Sequence, residues 1–301
     1  IIETQIKDGG AGTSHLLQQI QDMMGVPKHT NVFKDPNCVV PINDIRGVES
    51  MGYAKGEKLL RCKLASVYRL MDLYGWSQGV SNQITARLNQ DQEHFLVNPY
   101  GMLCHEITAS SLVKIDMQGN VVEQGTTNFG VNVSSFALHA AIHAARPDVK
   151  CAVLVHSPAV KAVSALKCGL LPISQESVVI GEVSVHQYIG GLAEPEEREK
   201  IARNLGPMNK VLLLSNHGAI CMGSTIEEAF FNVYNTIHAC ETQLKLLPIG
   251  LDNLSLLNDE VRKQIYDSAH RAPEGTSKAL TEQSSAFAEK LAERKWRVGG
   301  V

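Results

Sequence analysis

Cys151-Ala-Val-Leu-Val-His156-Ser-Pro158 and Leu212-Leu-Leu-Ser-Asn-His217-Gly218 decide how this chain reads. Each is a short apolar run that leads to a histidine. A run of four to six apolar residues without helical spacing is the pattern of a strand buried on both faces. The residue that follows such a strand emerges at the end of a sheet, where ligands are commonly held. The two histidines stand 61 positions apart, so they meet only if their strands are neighbours. A zinc site normally needs at least three protein ligands. These two stretches supply two, which is the pattern of an enzyme scaffold whose metal site has been dismantled.

Working outward, Ser157-Pro158 reads as a helix N-cap followed by a first-turn proline, opening a helix to about Lys167. Upstream, Ser134 or Ser135 suits the N-cap of an alanine-rich helix that runs from Phe136 to Ala145 and closes at Arg146-Pro147. His139 and His143 lie four apart on it and share a face. With no third ligand nearby in sequence, a packed or surface pair is the plainer reading than a metal pair. Further upstream, Leu60, Leu64, Val67 and Met71 mark a helix over 57–74, with Gly75 as its stop. Gln83–Leu88 and Phe95–Val97 form one hairpin pattern; Leu112–Asp116 and Val121–Glu123 form another.

Downstream, Val178 to His186 reads as short strands and Pro195 to Leu205 as a charged surface helix. Lys210 to Met222 reads as strand, Asn-His-Gly turn, strand. Ser224-Thr-Ile-Glu227 has capping-box spacing and opens a helix with Ile226, Phe230, Val233, Ile237, Cys240 and Leu244 on one face, ended by Pro248. Helices are expected near 14–24, 258–270 and 281–297.

The whole chain has 301 residues, 44% hydrophobic and 20% charged, which suits soluble globular protein of one large domain or two small ones. A net charge of −3 speaks against a whole-surface nucleic-acid binder. No apolar run approaches the ~20 residues of a membrane span. The first residues lack a basic start and an apolar core, so they do not read as a signal peptide, and the absence of an initial Met suggests an excised fragment. Seven cysteines without a C-x-x-C pair read as small buried hydrophobes in a reducing compartment.

Six pieces, in this order and spacing, carry a resemblance: Gln83-Ile-Thr-Ala-Arg-Leu88, Asn98-Pro-Tyr-Gly101, Ser134-Ser135, Arg146-Pro-Asp148, Val155-His156-Ser157 and Asn216-His217-Gly218. Together they resemble the class II aldolase family over residues 57–247. The flanks and detailed wording, over essentially all of the chain, resemble the adducin branch of that family. The resemblance implies a three-layer α/β/α fold with a mostly antiparallel central sheet. It implies a division into an N-terminal extension over 1–56 packed on the head, an aldolase-like core over 57–247, and C-terminal helices over 248–301 leading toward an oligomerising neck.

The departures from the family pattern bear on function. The aldolases hold zinc with a His-x-His pair and the histidine of Asn-His-Gly. His156 and His217 fill two of those places here, while Pro158 stands in the third. Counting back from His139, Ser135 takes the place of the catalytic acid–base glutamate, and a serine hydroxyl is a poor general base at neutral pH. Gln83, Gly101 and Ser134 occupy positions of the family's phosphate-binding loops. No cofactor is expected. The adducin resemblance implies a non-catalytic head that assembles with other adducin subunits and supports spectrin–actin association and actin-end capping in the full-length protein. It also implies a place at the cytoplasmic face of the plasma membrane, and calmodulin and acidic-lipid binding through a tail outside this sequence. The alternative is a metal-dependent lyase with altered ligands.

Overall fold

Helix α1, Glu57–Leu73, buries Leu64, Val67, Tyr68 and Met71 along one side and ends where Gly75 adopts a positive φ of 69°. Two hairpins follow. The first joins β1, Ile84–Asn89, to β2, His94–Val97; the second joins β3, Val113–Ile115, to β4, Val121–Glu123. The remaining strands are β5, Cys151–Val155, β6, Val183–His186, β7, Val211–Leu214, and β8, Gly218–Gly223. The helices after α1 are α2, Val133–Ala145, α3, Pro158–Ser164, α4, Gln175–Val179, α5, Pro195–Leu205, α6, Ile226–Leu246, and α7, Asp259–His270.

This computed structural model describes residues 40–47, 52–54, 56–89, 91–190 and 195–271. The helices expected near 14–24 and 281–297 lie outside the described residues. Apart from Val40, the described residues belong to one compact unit that begins at Pro41.

The eight strands form one sheet in the order β4-β3-β2-β1-β5-β8-β7-β6. Every pair is antiparallel except β6 with β7. Side-chain alternation sorts the central strands into two faces. Cys151, Val153, Val155, Leu213, Ala219 and Cys221 face α1, α3 and α6. Ala152, Leu154, Leu212, Leu214, Ile220 and Met222 face α2 and α5. This is the expected α/β/α sandwich, and burial of each Val, Leu, Ile or Met side chain among these contributes roughly 1.5–3 kcal/mol.

Four local expectations are corrected. The cap of α2 is Asn132, whose side chain accepts from the Ser135 N–H at 3.1 Å, so the helix begins before either serine. Asparagine caps as well as serine does, and Val133 follows it directly. The cap of α6 is Thr225, one residue later than read: Thr225 accepts from Glu228 N–H, and the Glu228 carboxylate takes the Ser224 N–H at 2.6 Å. Val178 and Val179, read as the start of short strands, instead end a helix over 175–179, because Ser174 and Ser177 cap each other reciprocally and outweigh the β-branched pair. The helix opened by Ser157 stops at Ser164.

Candidate functional site

β5 and β8 pair antiparallel, with Val155 opposite Ala219, so the end of β5 lies beside the β7–β8 turn. The strand period puts His156 on the same side as Ala152 and Leu154, toward α2. His217 sits in the turn, in a backbone that leaves little choice of residue. Asn216 has φ +58° and Gly218 φ +144°. A Cβ on Gly218 would lie 2.3 Å from the Val155 carbonyl oxygen. The imidazoles of His156 and His217 meet edge to face with centroids 4.6 Å apart. The Tyr188 ring lies 4.4 Å from His217 on another side.

The hydrogen bonds fix which nitrogens carry protons. His156 Nδ1 lies 3.2 Å from the His217 carbonyl oxygen, which only accepts, so Nδ1 donates and Nε2 presents a lone pair. Burial lowers the pKa of both rings; for His217 the neighbouring His156 adds to it, bringing the value to about 4. Both are neutral at pH 7.

A second polar cluster lies behind this one, between β1 and α2. Thr85 Oγ1 is 2.9 Å from His139 Nδ1 and 2.8 Å from His143 Nε2. His143 Nδ1 faces the Val149 carbonyl at 3.2 Å and must donate to it. With both rings neutral, His143 Nε2 accepts the Thr85 hydroxyl proton, and Thr85 in turn accepts from His139 Nδ1–H. His139 Nε2 is left as a buried lone pair with no hydrogen-bond partner. Burial, foremost, pushes both rings down to about 3. Arg87 closes the cluster by donating to the His143 carbonyl at 2.7 Å. The sequence reading had the histidine pair but missed Thr85 and Arg87. The signal was present: these polar residues alternate with Ile84 and Ala86, so β1 offers α2 a polar face matching the histidines four apart.

The other positions singled out in sequence fall around the N-terminus of α2. Gln83 donates from Nε2 to the Asn132 carbonyl at 3.4 Å, and its Oε1 is buried without a partner. The Asn98–Gly101 loop is tied nearby through Tyr100 N–H to the Gly130 carbonyl at 2.7 Å, and Gly101 has φ +103°. Ser134 is exposed in the first turn of α2; Ser135 is half-buried one turn before His139. Pro158 is exposed at the first position of α3. Tyr188, unremarked in the sequence, is the further aromatic member of the site.

The donor set does not fit a zinc ion. Among the described residues no three His, Cys, Asp or Glu side chains converge. His156 Nε2 and the His217 ring are two donors, the Pro158 side chain offers none, and a tetrahedral site draws on three or four. Among the described residues no helix is long and apolar enough to cross a membrane.

A family model described as the class II aldolase and adducin N-terminal domain matches residues 62–244. Among curated proteins, hu-li tai shao of Drosophila melanogaster is 58% identical over 98% of this chain and 27% of its own length. Alpha-adducin of Rattus norvegicus is 51% identical over 86% of this chain and 37% of its own length. The chain thus spans about a quarter to somewhat over a third of the length of these relatives. Among solved structures, an aldolase II superfamily protein from Pseudomonas syringae superposes with a TM-score of 0.70 at 34% identity, covering 84% of this chain and 100% of that one.

Proposed function

The chain belongs to the class II aldolase and adducin family, and from that premise we propose that it is a non-catalytic head domain whose work is assembly of a membrane skeleton. One observation carries the reading. Beside His156, at the place of a further histidine ligand, stands Pro158, exposed at the start of α3 and without a donor atom. Ser135 supports it, since the hydroxyl in place of a carboxylate neither completes a metal site nor acts as a base near neutral pH. Of Gln83, Gly101 and Ser134, the loop positions that would take a phosphate in the aldolases, Gln83 here donates to the Asn132 carbonyl at the N-terminus of α2.

On this reading the head joins other adducin-type subunits. In the longer protein it supports spectrin–actin association and the capping of actin ends at the cytoplasmic face of the plasma membrane, while calmodulin and acidic lipid are bound by a separate tail. The segments over 1–56 and 248–301 flank the head as its links to that longer chain. The test is elemental analysis of the dialysed protein. The reading expects well under one zinc per chain; about one tightly held zinc per chain would overturn it in favour of a metal-dependent lyase.

A further inference from the structure

Helix α7 leans on the rest of the fold across a void. None of its residues is buried, and its apolar Val261 and Ile265 are only half-buried. A surface helix ordinarily packs an apolar stripe against the core, and protein interiors leave few gaps larger than a water molecule. Contacts at its margins hold this one. The Leu257 N–H donates to the Pro172 carbonyl at 2.9 Å, and Arg262 donates to Glu182 at 2.6 Å. A Cβ on Gly181 would stand 3.2 Å from the Tyr266 ring, so that glycine, at φ +79°, lets the ring close on the chain. Between these contacts is a cavity of about 530 Å³, within the ~300–1,000 Å³ of small-molecule sites. Its other walls are residues 180–182, which lead into β6, and residues 208–210, which lead into β7. His217 follows the far end of β7, so the cavity lies at the opposite end of that strand from the imidazole pair.

We propose that this cavity binds a small organic anion, a carboxylate or phosphate monoester carried on a compact apolar body. The lining divides accordingly. Val178 and Ile180, both buried, and the Tyr266 ring supply the apolar part. The charged part sets Lys210, Arg262 and Lys263 against Glu182 and Asp259. The Lys210 ammonium is drawn to Asp148 and Glu228, at 3.4 and 3.9 Å, which lie outside the lining. Lys263 is exposed and has no ion-pair partner among the described residues. Arg262 pairs with Glu182 and Asp259, whose side chains are 73% and 96% exposed. Pairs so open to water hold weakly, and the guanidinium fork suits carboxylate and phosphate alike, so an entering anion competes for it. A cationic ligand meets an excess of positive charge, and a neutral one leaves Lys263 unused. The apolar body also supplies the packing that α7 lacks, so the bound chain is the more stable one.

The experiment titrates the whole 301-residue chain with phenyl phosphate, benzoate, inorganic phosphate and benzyl alcohol, with affinity read by saturation-transfer NMR and stability by thermal melts. Phenyl phosphate and benzoate are expected to bind and to raise the melting temperature. Inorganic phosphate, which lacks the body, and benzyl alcohol, which lacks the charge, are expected to bind at least tenfold more weakly. Lys263→Glu is expected to weaken phenyl phosphate at least tenfold while melting like wild type without ligand, and Lys263→Arg to retain it. Lys245→Glu, at the other end of α6 from Glu228, is expected to change nothing. Failure of both aromatic anions to bind, equal binding of inorganic phosphate or benzyl alcohol, or affinity that Lys263→Glu leaves unchanged would overturn the proposal. Binding abolished by Ser134→Glu would place the probe in the loops beside α2 and overturn it too.

Discussion

Lowering the pH from 7.5 to 5.0 should strip this fold of much of its stability, and the His139–Thr85–His143 cluster sets how much. Both rings are neutral in the native state, with pKa values near 3, against 6.5 for an accessible histidine. The unfolded chain therefore binds two protons below pH 6.5 that the folded chain does not. Stability is fully present above pH 6.5 and falls as the pH drops toward 3. Each histidine removes about 1.4 kcal/mol per pH unit over that window. At pH 5.0 the pair thus accounts for a loss of about 4 kcal/mol, against ~5–15 kcal/mol for a typical domain. His156 and His217 act in the same direction, more weakly because solvent reaches them. The assay is urea unfolding at pH 7.5, 6.0 and 5.0, comparing wild type with His143→Asn, which removes one of the two titrating rings. About half of the loss due to the pair should disappear in the variant. An unfolding midpoint that does not move between pH 7.5 and 5.0, or a pH slope that His143→Asn leaves unchanged, would refute the reasoning.

Three further outcomes follow from the site and its surroundings. Pro158→His combined with Ser135→Glu should bind zinc at least ~tenfold more tightly than the parent, about 1.4 kcal/mol, measured by competition with a chromophoric chelator. Neither change removes a cap, since α2 is capped by Asn132, so a folded double variant with parental affinity would mean that the substituted positions do not face His156 and His217. Asn132→Ala should lower the stability by ~0.5–2 kcal/mol, while Ser135→Ala costs little; thermal melts that rank the two the other way would move the cap back to the serines. Gly218→Ala should destabilise by at least ~1–3 kcal/mol from backbone strain at φ +144°, with a further cost because its methyl would stand 2.3 Å from the Val155 oxygen; a melt equal to wild type would show that the β7–β8 turn is looser than described.

The fold was legible where local pattern is strong. The runs at Cys151–Val155 and Val211–Leu214, both hairpins, and the long amphipathic helices α1 and α6 all stand close to where spacing put them. Caps were less legible, because Asn132, Ser134 and Ser135 all suit the role and only the register of the helix chooses between them. The neighbours of each strand were beyond periodicity altogether: β1 lies beside β5 through pairing of Ile84 with Val153, a long-range choice that no local spacing records. At the site, the histidines could be named from sequence because each ends an apolar run. Tyr188 could not, since its contact with His217 depends on the course of the chain after β6. The Thr85 cluster lay between these cases, with matched polar faces visible on two elements but no local sign that they touch.

The Asn216-His217-Gly218 turn has a consequence for how such chains are recognised. Two of its three positions are fixed by backbone shape: a left-handed residue at 216, and a residue at 218 with no room for a side chain against β5. The third lends its carbonyl to His156 and its ring to an aromatic cluster with His156 and Tyr188. A lineage that abandoned metal chemistry would still keep the outer two, because the backbone requires them. The motif therefore reports ancestry and is silent on activity. On the proposed reading, the difference between a working member and this chain lies at a position that architecture leaves free to drift: Pro158, on the surface at the start of its helix.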